Sequence, residues 1–407
     1  MAQNHSPLAF LCISTYYKGA EFLRACKQAG NTVYFITEKK LEHKPWPREH
    51  IDEMFYVENG ENTHENHHKL LLGVAGIMRS RKIDRVVALD DFDVEKAALI
   101  RETFRIPGMG LTTAQYFRDK LAMRIQAQDA GIKVPPFSTL FHDESITHYL
   151  RTVPGPWVIK PRSEASATGI KKVHNLEEAW QVIHSLGDTR HNFLIEQFKP
   201  GDVYHVDGLS MHGKFLFQRS SRYLNTPMEV AHGGGIFRSI NVDFDSKEDK
   251  TLKKLNESVM KAFRMQSCAS HSEFIKSKDD GEFYFLETSA RVGGANLVEM
   301  VEASSGINLW REWARLETAI ARGDEYQLPS THQSYAGIII SLARQQFPDH
   351  GPFNAPEIVW RMDQEHHVGF IMKSDKKERI IELLDQYAHV IYQDYHASAP
   401  VPNKPTA

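Results

Sequence analysis

Cysteine is scarce in this sequence. Its 407 residues include three, Cys12, Cys26 and Cys268, set far apart. That spacing makes neither a disulfide framework nor a paired-cysteine metal motif, and it fits a reducing compartment. A charge bias is also missing. Lys and Arg number 49 against 52 Asp and Glu, a formal net charge of −3. Such a balance gives no argument for a nucleic-acid or membrane partner. No apolar run approaches transmembrane length. The opening MAQNHSPLAFLCIS has no basic n-region and reads as a first strand rather than a signal peptide. A cytoplasmic location is the expectation. The glycine signatures of the common nucleotide folds are absent too. The first strand runs into STYYKGAEF, not Gly-x-Gly-x-x-Gly, and Gly-Lys-Ser/Thr occurs nowhere. NAD binding and a Walker loop are therefore not expected. No internal repeat is found.

What the chain does carry is the stretch from His271 to Gly294, HSEFIKSKDDGEFYFLETSARVGG. HSEFI and EFYFLE have strand composition, and Lys278 to Gly281 supply a turn between them. Phe283, Phe285, Glu287, Ser289 and Arg291 lie two apart, so a regular strand puts them on one face. Across the hairpin Glu273 interrupts an apolar strand. Two carboxylates brought together need a cation or a shared proton. Hard oxygen ligands favour Mg²⁺, which also takes phosphate oxygens. A solvated hairpin with scattered charges is the alternative that these residues alone leave open.

The length suggests two or three domains. Strands alternate with helices over roughly residues 1–110, which argues a small parallel α/β domain. Asp90 and Asp91 stand at a strand's carboxyl end, as ligand residues or as a helix cap. TTAQYFRDKLAMRIQAQDAG reads as one helix, capped by Thr112 or Thr113 and ended by Gly131. Trp157 to Lys160 form a strand that enters PRSEASATGIKKV. A small-residue loop like this lets backbone N–H groups approach a phosphate, or is simply a flexible hairpin tip. Asn175 caps a helix, and NFLIEQF is a strand. EVAHGGGIFRS, with three consecutive glycines, is expected to be a mobile loop. From about Gln327 strands and a helix form an α+β tail, and HASAPVPNKPTA is expected to be disordered.

Several separated signals stand in order. Lys120 follows an aspartate, and Lys160 closes a strand before the small-residue loop. Glu196-Gln197-Phe198 closes another strand. Glu273 and Glu287 share the hairpin, and Ser289, Arg291 and Gly293-Gly294 follow. The set resembles the ATP-grasp superfamily, in particular the carboxylate–amine ligases that include the L-amino acid ligases, over roughly residues 110–320. The resemblance implies a fold of mixed α/β and α+β class. It has an N-terminal parallel α/β domain (1–110) and a two-lobed ATP-grasp domain (111–325, with a lid lobe at about 135–200). A C-terminal α+β subdomain (326–395) and a tail (396–407) follow. It also assigns roles. Lys120 and Lys160 contact the phosphates of ATP, where ammonium groups offset crowded negative charge. Ser166, Thr168 and Gly169 belong to a flap over the phosphates. Glu196, Gln197 and Phe198 read adenine. Asp202 or His205 holds the ribose, although Val203 stands where many members have a glutamate. Glu273, Glu287 and Ser289 ligate Mg²⁺, with Ser289 replacing the usual asparagine. Arg291 and Lys160 serve catalysis, the guanidinium steadying the transferring phosphoryl group.

The implied activity is ATP-dependent amide formation on small molecules through an acyl-phosphate, releasing ADP and phosphate. Arg219, Arg222, His232 and Arg238, around the triple glycine, are candidates to hold the carboxylate substrate. A biotin-carboxylase-like enzyme that activates bicarbonate shares fold and metal site, so fold does not separate the two. A nucleotide-binding module without ligation, suggested by Ser289 and Val203, and a pure interaction protein also remain. The partners implied are small-molecule acids and amines, with neither nucleic acid nor membrane. Homodimers are common in such folds.

Overall fold

The structure, a computed structural model, describes residues 7–58, 63–164 and 168–398, with the backbone alone for residues 63, 64 and 231–233. Ser166 and most of the tail lie outside the described residues. Three sheets organise the chain.

The first is parallel, in the order β3-β2-β1-β4. Its strands are β1 (Ala9–Ser14), β2 (Thr32–Glu38), β3 (Glu53–Val57) and β4 (Arg85–Ala88). Every residue of β1 is buried, as a central parallel strand covered on both faces requires. The second sheet is small and antiparallel, in the order β5-β8-β6-β7. It comprises β5 (Phe137–Thr139), β6 (Trp157–Pro161), β7 (Lys171–Val173) and β8 (Phe193–Gln197). The third has eight strands: β9 (Gly201–Met211), β10 (Lys214–Tyr223), β11 (Phe237–Asn241), β12 (Cys268–Ser277), β13 (Phe283–Ser289), β14 (Tyr335–Leu342), β15 (Ile358–Arg361) and β16 (His367–Ser374). Their order is β13-β12-β9-β10-β11-β14-β16-β15. The C-terminal strands therefore join the large sheet through β11 and β14.

The first unit docks on the large sheet through apolar contact. Phe22 meets Trp313 edge-on at 5.1 Å, and one buried cluster runs from β1 through β9 and β12 to the helix Leu309–Arg322. Asn31 seals the seam by donating to Thr318 Oγ1 at 2.7 Å. This docking brings the carboxyl end of β4 to the hairpin of β12 and β13. No helix among the described residues is long and apolar enough to cross a membrane.

Three local expectations are corrected. The single helix read from Thr112 to Gly131 is broken. Helix Leu111–Gln115 ends, and Lys120–Asp129 restarts with Asp119 accepting from the backbone N–H of Leu121 and Ala122. A short acceptor side chain competes with the helix ladder and starts a new helix. The triple-glycine loop is instead the end of a helix, Pro227–Gly233, started by a Thr226/Glu229 capping box and stopped by Gly234 at φ +62°. Finally, β13 is not regular. Glu273 pairs with Glu287 but Phe274 with Phe285, so Leu286 is an extra, bulged residue. Phe283 and Phe285 pack into the core, while Leu286 and Glu287 line a cavity. Without the bulge Glu287 would share the face of Phe285.

Candidate active site

Two cavities meet at the paired carboxylates. The first, about 310 Å³, lies between the small sheet and the large one, with Val158, Ile170, Val203, Ile275 and Leu286 as apolar walls. The second, about 400 Å³, opens on the other side, toward β4 and the segment Arg291–Leu297. Lys120, Glu164, Pro227, Glu273 and Glu287 line both.

Most of the residues singled out in the sequence gather here. Lys120, Lys160, Thr168, Glu196, Gln197, Phe198, Glu273 and Glu287 line the first cavity. Ser289 and Arg291 line the second. Gly169, at φ +71°, turns the flap back beside Pro161. Lys120 stands in the first turn of its helix, 3.0 Å from Glu287 Oε2, and donates to the Glu164 carbonyl at 2.6 Å. Burial alone would raise the Glu287 pKa, but Lys120 and Lys160 outweigh it and hold the carboxyl below its ordinary value. Lys160 is buried on β6 and donates to Glu196 Oε1. Burial pushes its ammonium down to about 8, with Glu196 opposing the fall.

The structure corrects three nucleotide contacts. Glu196 lines the cavity, but its carboxylate is spoken for: Lys160 takes Oε1, and Arg124 Nε donates to Oε2 at 2.9 Å. Burial would raise the Glu196 pKa, and Arg124 and Lys160 reverse that. Both carboxylate oxygens thus already have cationic partners. Asp202 points to the other face of β9, is 52% exposed, and lies 3.9 Å from Arg222. His205 is fully buried among Asp207 and Ser239. Neither lines the first cavity: strand alternation turns Asp202 away from the face of Val203, and His205, on that face, is buried further along β9.

The proposed substrate-holding arginines are also placed elsewhere. Arg219 donates to the carbonyls of Ser304 and His332, and Arg238 binds Asp385 at 2.8 Å. Arg222 lines neither cavity. The side chain of His232 lies outside the described residues.

Arg291 has partners at the site that the sequence scarcely signals. Arg291 donates through Nε to Asp91 Oδ2 at 2.8 Å, across 200 positions of sequence. Burial would raise the Asp91 pKa, yet Arg291, Arg118 and Lys18 hold it well below the usual range. Its other oxygen, Oδ1, is buried and has no hydrogen-bond partner among the described residues. Arg118 lies over the Phe92 ring at 4.6 Å and donates to the Ser163 carbonyl, tying the base of the flap. Tyr223 donates to Glu273 Oε1 at 2.9 Å. Of Asp91, Arg118 and Tyr223, only Asp91 had a sequence cue, its place at a strand's carboxyl end.

The donor set fits a hard divalent cation. Two carboxylates face each other in register, Ser289 adds a hydroxyl, and two ammonium groups stand beside them for phosphate.

No family model matches the chain. Among curated proteins it is similar to an L-arginine-specific L-amino acid ligase of Bacillus subtilis, 26% identical over 243 residues, 58% of this chain and 57% of that one. The match thus spans less than two thirds of that relative's length. The crystal structure of an L-amino acid ligase from Bacillus licheniformis superposes with a TM-score of 0.74 at 17% identity, covering 97% of this chain and 99% of that one. The biotin carboxylase domain of Hydrogenobacter thermophilus 2-oxoglutarate carboxylase, a dimer with ADP, magnesium and bicarbonate, follows at 0.71 and 15%, covering 97% and 91%. With the three-sheet arrangement and the ordered lysines and glutamates, these likenesses show that the chain has the fold of the ATP-grasp enzymes and is similar in sequence to carboxylate–amine ligases.

Proposed function

We propose that the protein is an ATP-dependent ligase that joins a small carboxylic acid to an amine. The observation that carries this reading is the register pairing of Glu273 with Glu287 at the junction of two cavities. One cavity suits a nucleotide and the other a substrate, so a γ-phosphate and a carboxylate meet between them. Adenine fits the apolar slot of Val158, Val203 and Leu286. The backbone N–H groups of Gln197 and Phe198 are spent on Pro136 and Pro156. Lys199 makes no such bond among the described residues and is free to meet the base.

Lys120 and Lys160 neutralise the phosphates, with Thr168 beside them in the first cavity. Glu273 and Glu287, with Ser289 nearby, would hold Mg²⁺, which would supply neutralisation of phosphate charge. The substrate carboxylate attacks the γ-phosphorus, and ADP leaves. The resulting acyl-phosphate is then attacked by the amine, which gives the amide and phosphate. Arg291, aimed by Asp91, faces the charge that develops on the transferring group.

Asp91 supports an ammonium-bearing substrate, because it lines the second cavity and its buried Oδ1 is an anionic acceptor without a partner among the described residues. Asp91→Asn is therefore expected to raise the KM of the amino-group-bearing substrate by about tenfold to a hundredfold, the range for one buried charged hydrogen bond. Steady-state kinetics with ATP saturating checks it.

Lys160 makes nucleotide affinity depend on pH. The charged form binds phosphate, and it predominates below about 8. Affinity for ADP is expected to be full below that pH and to weaken as pH rises through it, by up to about tenfold per unit. Calorimetric titration from pH 6.5 to 9.5 reads the inflection. A flat profile removes Lys160 from phosphate binding.

The activity test is phosphate release from Mg²⁺-ATP across a matrix of amino acids and small carboxylic acids. Release that requires an acid–amine pair supports the ligase. Release stimulated by bicarbonate alone supports the carboxylase-like reading. ADP binding with no release under any condition leaves a nucleotide-binding module.

A further inference from the structure

Behind the metal carboxylate Glu273 lies a buried polar chain that phosphate and nucleotide binding do not use. His205 Nε2 meets Ser239 Oγ at 2.8 Å, and its Nδ1 meets Asp207 Oδ2 at 2.7 Å. His271 Nδ1 meets the other oxygen, Asp207 Oδ1, at 2.8 Å. The far side of the His271 ring, Nε2, stands 3.5 Å from both Glu273 Oε1 and the Tyr223 hydroxyl. Tyr223 itself donates to that same Glu273 oxygen. Ser239, His205 and Asp207 are entirely buried, and His271 is 7% exposed.

Two features argue that the chain has a task. The sheet register is built for it: Asp207 pairs with His271 across β9 and β12, and His205 pairs with Glu273. Space is also cleared for it. A Cβ on Gly293 would come within 2.8 Å of Asp207 Oδ1 and 3.0 Å of His271 Nδ1. Gly293 has a φ that any residue can adopt, so it is the close approach that calls for glycine there.

The cluster His205, Asp207 and His271 also has metal-ligand types close together. Its atoms are already satisfied, however. Each Asp207 oxygen serves one ring, and both outer ring nitrogens face further polar groups. A metal would have to break that whole set.

We propose that the chain Ser239–His205–Asp207–His271, with Tyr223, is a positioning device that orients Glu273 for the divalent cation. The inference rests on the ligase reading above. Fixing Oε1 on Tyr223 turns the other oxygen, Oε2, toward the cavity. Partners of this kind behind a metal ligand typically change affinity by about 10- to 100-fold when removed. Ser239, His205 and Asp207 line neither cavity, while Tyr223 and His271 border the second.

The test measures Mn²⁺ binding to the full chain in the presence of ADP, by the loss of the free-ion paramagnetic signal. ADP binding without metal is measured in parallel. Tyr223→Phe keeps the ring and removes the hydroxyl. Gly293→Ala presses on the Asp207–His271 pair without altering a polar group. Asp207→Asn cuts the chain at its centre. Each is expected to weaken Mn²⁺ by about tenfold or more with metal-free ADP affinity unchanged. If Asp207→Asn does not fold, the other two variants decide. Mn²⁺ affinity within twofold of wild type in folded Tyr223→Phe and Gly293→Ala overturns the proposal. So does a tightly held transition metal in the purified protein that is lost in Asp207→Asn. Wild type that binds ADP but no Mn²⁺ overturns the metal role of Glu273 and the proposal with it. Wild type that binds no ADP overturns the ligase reading itself.

Discussion

Glu287→Gln is expected to lower acid- and amine-dependent phosphate release by at least about 100-fold, the scale for losing a charged group that acts on the transition state. The substitution keeps the shape and removes the charge. Glu287 is anionic in the free protein, since Lys120 and Lys160 hold it so against burial. Without that charge the cation has one carboxylate in place of two. A second effect runs the other way. Lys120 lies 3.0 Å from Glu287 and is released when the charge goes. Metal-free ADP should therefore bind as tightly as in wild type or more tightly. Steady-state phosphate release and titration of ADP with and without Mg²⁺ read both effects. Turnover within threefold of wild type would remove Glu287 from the metal site. A parallel loss of metal-free ADP affinity would assign it to folding of the cleft instead.

The largest loss of stability is expected from Arg124→Ala, about 3–5 kcal/mol, the cost of breaking a buried ion pair from one side. The Arg124 side chain is fully buried. Its Nε donates to Glu196 and its Nη1 to the carbonyl of Leu286. Removal leaves Glu196 with Lys160 alone, leaves the Leu286 carbonyl unpaired, and opens a void. Leu286 is the bulged residue that turns Glu287 toward the cleft, so turnover is expected to fall with stability. Arg124→Lys keeps the charge but not the fork that reaches both partners, and should recover only part of the loss. Urea unfolding gives the stability difference. A loss below about 1 kcal/mol would mean that Lys160 compensates Glu196 unaided.

Much of the site was legible because it is periodic or local. The lysine at a strand end, the Lys-Asp-Asp-Gly turn and the glutamates of facing strands are read from spacing alone. Asn175 caps its helix as expected, accepting from Glu178 at 2.9 Å. The nearby misreadings were local too. Asp119 outcompetes Thr112 and Thr113 as a cap, and a capping box at Thr226 draws the glycine-rich stretch into a helix. Both signals were visible, yet short polar side chains act on backbone groups that a hydrophobic period does not describe.

By itself, then, the sequence determined the alternation of strands and helices, the class of fold, and the order of Lys120, Lys160, Glu273 and Glu287 along the chain. The alternation follows from side-chain polarity at a fixed period, and the class of fold and the meaning of that order rest on the resemblance to a known superfamily. Tertiary structure alone decided which of those groups remain free to act. It spent Glu196 on Arg124 and Lys160, sank His205 into a chain behind Glu273, and brought Asp91 to Arg291. One bulged residue, Leu286, chose the face on which Glu287 emerges. Buried charges take whatever partner the packed fold brings within a few ångströms, and such partners lie far apart in sequence.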